Sequence, residues 1–222
     1  MKEATPSSVW EIPDRRLNLD TTGILFFDFT NYSKKATTAR SSEELKKRAQ
    51  VLANAVKIQD AARKRGMPLI FTGPDHRADG KDTPARLLDC GHGYAFDDPE
   101  MFHVVIPDGL HGQWEAQIVE DLTPAPEDTI ILKHRWSAFH RTHLDLSLRM
   151  LGLETLAILG GALEVGIAST VYSARDHDTN MLFIRDAISA GSQAAEAVFM
   201  ESIFPRMGLV RNTEWLLTKI RG

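Results

Sequence analysis

Short continuous apolar runs alternate along this chain with stretches in which apolar residues recur at helical spacing. The run in TGILFFDFTNYS (22 to 33) ends in an acid and polar turn residues, as a parallel strand covered on both faces reads where it leaves the core. Asp28 is therefore expected at the carboxyl end of a strand. SSEELKKRAQVLANAVKIQDAARKRG (41 to 66) opens on a serine cap and acids, spaces Leu45, Ala49, Leu52 and Val56 along one face and stops at Gly66, which predicts a helix. MPLIFTG (67 to 73) predicts a second buried strand, and strand, helix, strand in that order predicts a right-handed crossover.

From Pro74 to about Gly112 the pattern dissolves into a stretch rich in Gly, Pro, Asp and His; a connection this long reads as a lid-like excursion. QWEAQIVEDL (113 to 122) predicts a helix, and TIILKHR (129 to 135) a third strand with Lys133 at its exit. THLDLSLRMLGL (142 to 153) predicts a helix, ETLAILGG (154 to 161) a fourth strand and LEVGIASTVYSARDHD (163 to 178) the next helix. MLFIRDAIS (181 to 189) gives a fifth strand and SQAAEAVFMESIFPRMG (192 to 208) a closing helix, before a short tail, LVRNTEWLLTKI. The alternation predicts an α/β fold, a doubly wound three-layer sandwich around a mostly parallel sheet. Ligands of such sheets bind outside the carboxyl ends of the strands. Asp28, Lys133 and the turn from Gly160 to Gly166 all fall on that edge.

Length and composition narrow the class. With 222 residues and 43% hydrophobic content, one compact domain over 1–222 is expected, with 1–20 as an N-terminal extension and 74–112 as the excursion. A net charge of -4 with both signs spread along the chain argues against a nucleic-acid partner and for a small, uncharged or anionic metabolite. The single cysteine, Cys90, forms no intrachain disulfide and fits a reducing compartment. The polar first residues carry no apolar leader, and no window approaches a membrane span, so a soluble, cytoplasmic protein without membrane contact is expected.

One residue resists this reading. Gly166 falls in the first turn of a predicted helix, where glycine costs about 1 kcal/mol against alanine. FFDFTN, KHRWSAFHRTHLDLSLRMLGLETLAILGGALEVGIAST, RDAISA and IFPRMGLVRNTEWLL resemble the isochorismatase-like hydrolase superfamily in order and spacing over roughly residues 20 to 217. The resemblance implies an isochorismatase-like fold, an enzyme of the hydrolase class, and a catalytic aspartate, lysine and cysteine at Asp28, Lys133 and Gly166. It further implies an oxyanion hole from the N–H groups of Ala162 and Gly166, a cis peptide from Gly161 to Ala162, and a homodimer or homotetramer; the final helix with its IFPRMG tail reads as the interface. No cofactor and no metal are expected.

Glycine cannot be a nucleophile, so covalent thioester chemistry is excluded at position 166. Isochorismatases proper also lack the cysteine; protonation of an enol-ether carbon gives an oxocarbenium ion that water captures, which needs a carboxylic acid and no nucleophilic side chain. Asp28 with Lys133 would suffice, Gly166 leaving room for substrate or water. This chain departs from those enzymes in Pro74, Leu163 and Glu164, which argues against isochorismate itself as substrate. A water-mediated C–N hydrolase and a non-catalytic metabolite-binding protein are the other readings.

Glu164 reads either as a general base for water or as an acid favoured by the start of a helix. His76, His92, His103 and His111 share the excursion with Asp75, a metal-ligand vocabulary, but PDHRADG does not reproduce the metal pattern of the superfamily's amidases, and His76 is taken as substrate-facing. Phe29, Trp114 and Phe139, among aromatics that include Tyr32 and Trp136, are candidate pocket walls. Cys90 reads as a small apolar residue or as a thiol able to swing into the site.

Overall fold

The structure is a computed structural model and describes residues 17–32, 41–79, 81–82 and 111–222. Six strands form one parallel sheet: β1 (Thr22–Phe27), β2 (Leu69–Pro74), β3 (Thr129–Lys133), β4 (Thr155–Gly160), β5 (Asn180–Ile188) and β6 (Gly208–Arg211). Their order across the sheet is β3-β2-β1-β4-β5-β6, every neighbouring pair being parallel. The chain works outward from β1 through β2 to β3, then returns to place β4 on the other side of β1. The order therefore reverses between β1 and β4, and in open α/β sheets that reversal is where the crevice opens.

Successive side chains of a strand point to opposite faces, and the core divides accordingly. Ile24 and Phe26, with Leu69, Phe71, Ala157, Leu159, Leu182 and Ile184, meet α1 (Ser42–Arg65) and the carboxyl-terminal helix. Leu25 and Phe27, with Ile70, Ile131, Leu156, Ile158 and Phe183, meet α2 (Leu144–Met150) and α3 (Ala168–Asp176). These are the three layers that the alternation predicts.

The cap of α1 is the one its sequence announces. The Ser41 hydroxyl accepts from the Glu44 N–H, the Glu44 carboxylate accepts from the Ser41 N–H, and Gly66 closes the helix in the left-handed region at φ 77°. Both ends thus satisfy backbone groups that a helix leaves unpaired.

Three segments differ from expectation. QWEAQIVEDL is not a helix but two 3-10 turns, Trp114–Ala116 and Glu120–Leu122. Its backbone is drawn to the β1 exit instead: Asn31 N–H donates to the Gln117 carbonyl and Val119 N–H to the Phe29 carbonyl, both at 2.9 Å. The closing helix is a short α4 (Gln193–Ala197) that widens into a π turn (Val198–Ile203) and tightens into a 3-10 turn (Phe204–Arg206). The tail is a sixth strand and α5 (Thr213–Arg221), whose Leu216, Leu217 and Ile220 are buried in the core shared with α1.

Residues 1–16 of the expected extension lie outside the described residues, but Leu17 and Leu19 pack against the α1 core. No described helix is long and apolar enough to cross a membrane.

Candidate active site

β1 delivers Asp28 to the reversal point. The residue leaves the strand at φ 52°, an uncommon conformation for a residue other than glycine and one that aspartate tolerates better than most. Thr72, fully buried near the end of β2, holds it twice: its hydroxyl donates to Asp28 Oδ1 at 2.8 Å and accepts from the Asp28 N–H at 3.1 Å. The other carboxylate oxygen lies 2.7 Å from Lys133 Nζ.

Lys133 is the last residue of β3 and only 7% exposed. A lysine so enclosed needs a counter-charge, and Asp28 supplies it. The ammonium also stands over the Phe27 ring, 4.9 Å from its centroid, an arrangement in which the ring quadrupole attracts the cation.

The turn after β4 forms the other wall. Gly160 takes φ 124° and lies so close to β1 that a Cβ there would overlap the Phe27 carbonyl; only glycine fits that approach. The peptide from Gly161 to Ala162 is cis, as the resemblance implies. Leu163–Ile167 is a π turn, not the α turn its pattern suggests, with the Ile167 N–H donating to the Ala162 carbonyl at 3.1 Å. Gly166 is buried within it.

The direction that a side chain on residue 166 would take is filled by Phe27. A Cβ built there would stand 2.5 Å and 2.8 Å from Cε1 and Cζ of Phe27, inside any real carbon contact. Behind it, the Thr170 hydroxyl donates to the Gly166 carbonyl at 2.7 Å and accepts from the Ala138 N–H at 3.0 Å, tying the KHRWSAF segment to α3.

Asp28, Lys133, Phe27 and Gly166 are thus brought together, with Gly161 and Ala162 in the adjoining turn. The other candidates are placed elsewhere or differently. Glu164 Oε1 accepts from the Gly191 N–H at 2.7 Å, so this carboxylate pins the loop after β5; its Oε2 is buried without a hydrogen-bond partner among the described residues. Phe139 is core, stacked on His177 with centroids 5.0 Å apart, and His177 follows the end of α3 remote from Gly166. Phe29 packs against the α1 core and tilts on Phe26. Trp114 is half exposed at the first 3-10 turn, its carbonyl accepting from Asn31 Nδ2 at 3.0 Å.

His76 is buried, with Nδ1 3.4 Å from Asp82 Oδ2; His134 Nε2 stands at the same distance from that oxygen. Burial holds the His76 imidazole below its ordinary pKa, with His134 and Arg135 acting in the same sense and Asp82 opposing. His111 pairs with Asp75. No group of metal-ligating side chains suited to an ion occurs among the described residues; Cys90, His92 and His103 lie outside them. Thr72 is signalled by no motif, and Phe27, although it falls within FFDFTN, reads as an ordinary strand residue.

A parallel α/β sheet of this order, with an acid and a lysine paired at its reversal point, is the frame of a doubly wound α/β protein with its candidate site at the carboxyl ends of the strands. The isochorismatase domain family matches residues 22–214, and the chain belongs to it. Among curated relatives, it is 28% identical to enterobactin synthase component B of Escherichia coli strain K12 over 76% of this chain and 54% of that protein. It is 26% identical to isochorismatase of Bacillus subtilis strain 168 over 90% and 58%, and 31% identical to ureidoacrylate amidohydrolase of Pantoea ananatis over 55% and 50%. The chain spans about half the length of the curated relatives it matches. In fold it is similar to an isochorismatase family protein from Burkholderia thailandensis, with TM-score 0.74, 24% identity and coverage of 93% and 98%. N-carbamoylsarcosine amidase from Thermoplasma acidophilum gives TM-score 0.63, 19% identity and coverage of 87% and 97%.

Proposed function

We propose that this protein is a hydrolase of a small metabolite that works without a side-chain nucleophile, Asp28 moving the proton and Lys133 providing the electrostatic partner. The observation that carries the reading is the 2.7 Å pair of Asp28 with an enclosed Lys133, set beside a turn whose residue 166 has no side chain. The N–H groups of Ala162 and Gly166 bind a developing oxyanion or the carboxylate of the substrate.

For a vinyl ether, Asp28 enters the reaction protonated and gives its proton to the terminal carbon of the double bond. The oxocarbenium ion so formed takes up water, which loses a proton back to the Asp28 carboxylate. The hemiketal then collapses to an alcohol and a carbonyl compound, so that one water is consumed and the acid is restored. Lys133 beside the acid also presents a cation to an anionic substrate, which fits an enolpyruvyl-like ether carrying its own carboxylate.

A second reading follows from the same ion pair. With its carboxylate held beside Lys133, Asp28 as a general base would draw a proton from water for attack on an amide or ureide carbon. The amidohydrolase and amidase among the similar proteins lend it weight.

The test is a screen of enolpyruvyl ethers, amides, ureides and lactones with product detection by NMR, using the wild type, Asp28→Asn and Lys133→Ala. Both variants are expected to lose at least a hundredfold in turnover, in keeping with removal of a proton-transfer or charge-stabilising group. A fully active Asp28→Asn enzyme would sink the proposal. Ligand-induced thermal shifts without product would instead favour a binding protein.

A further inference from the structure

Phe27 meets both halves of the site. Its ring is fully buried in the α2 and α3 core. One face receives the Lys133 ammonium at 4.9 Å from the centroid, and the ring edge occupies the place where a side chain on residue 166 would begin. The Trp136 carbonyl, 3.6 Å from the same point, bounds that space on another side. The ring cannot turn aside cheaply, because close-packed interiors offer no volume to receive it.

We infer that Phe27 is a specificity-determining residue: it closes the position from which a side chain at 166 would attack, and so commits the site to reactions in which water is the attacking species. The inference rests on the hydrolase reading for its chemistry, but its physical core is a coupling between two positions. Phenylalanine at 27 and any side chain at 166 exclude one another. Restoring a thiol at 166 alone therefore does not restore a covalent hydrolase.

The experiment uses the full-length protein in a Cys90→Ser background, so that any new thiol is unique. Gly166→Ala and Gly166→Cys are made with Phe27 in place and again with Phe27→Leu or Phe27→Val. With Phe27 present, each substitution at 166 lowers the thermal midpoint by about 5 °C, the effect of overpacking by a methyl group or more in a chain of this size. With the smaller residue at 27, half or more of that loss is recovered, and Gly166→Ala becomes neutral or stabilising. Iodoacetamide should alkylate the thiol of the Gly166→Cys, Phe27→Val protein at least tenfold faster than that of Gly166→Cys alone.

Midpoint shifts that add within about 1 °C, with equal alkylation in both backgrounds, overturn the inference. Should Phe27→Val fail to fold, the Phe27→Leu series with Gly166→Ala decides the coupling by itself. Neither readout needs turnover, so its failure is separable from failure of the Asp28 test.

Discussion

Thr72 holds Asp28 by two hydrogen bonds, one to the carboxylate and one from the backbone N–H. Thr72→Val keeps the shape and removes both, leaving a half-buried carboxylate and a strand-end N–H short of a partner. The expected cost is about 1–3 kcal/mol in chemical denaturation, with a fall in turnover because the acid is no longer oriented. His76 predicts a pH effect of known sign. Its folded-state pKa lies below the ordinary 6.5, so the neutral form is favoured on folding. That contribution to stability is present above pH ~6.5 and is lost as the pH falls toward the folded value. His76→Gln should therefore shrink the drop in thermal midpoint between pH 7.5 and 5.5; an unchanged drop would remove His76 from the account. At this scale Asp28 and Lys133 were legible in the sequence, because each ends an apolar run. Phe27 was not, since within such a run a phenylalanine reads as core, and its contact with Gly166 joins segments far apart in the chain.

Elements were legible where local chemistry and burial agree. In α1 they do, and Ser41→Ala is expected to cost about 1 kcal/mol through loss of the capping box, measurable as a shift of the urea midpoint at constant slope. The segment from Gln113 to Leu122 shows the opposite case. Its apolar residues sit at helical spacing, yet hydrogen bonds to Asn31 and Phe29 outweigh a weak local preference. The tail is a third case, in which the sequence pattern assigns no element. Pro205 opens the 3-10 turn that follows the π turn, and at Gly208 a side chain would overlap the Met181 carbonyl, so the backbone comes close enough for β6 to pair with β5. That close approach has no signature within the tail itself.

For the molecule as a whole, strand order is the decisive fact, and periodicity alone does not reveal it. The alternation announced a doubly wound sheet, but the site depends on β1 and β4 being neighbours, which follows from where the chain returns after β3. β6 and α5 complete that architecture at one edge by covering β5 and the apolar face of α1. Asp186 ties them in, its carboxylate accepting from the Thr213 N–H and hydroxyl at 2.7 and 2.8 Å. Removal of residues 208–222 should abolish cooperative thermal unfolding and produce a species that binds the hydrophobic dye ANS. A sharp transition in the truncated protein would show the closing unit to be dispensable.

The ring against Gly166 also bears on the order in which such a site can change over generations. A lineage that acquires a side chain at 166 first passes through an overpacked, destabilised protein; one that first shortens residue 27 opens a cavity and weakens the contact with Lys133. Either path crosses a valley, so the present pair tends to persist once both residues are in place, whatever the substrate. Among related chains, the residues at 27 and 166 are then expected to vary together.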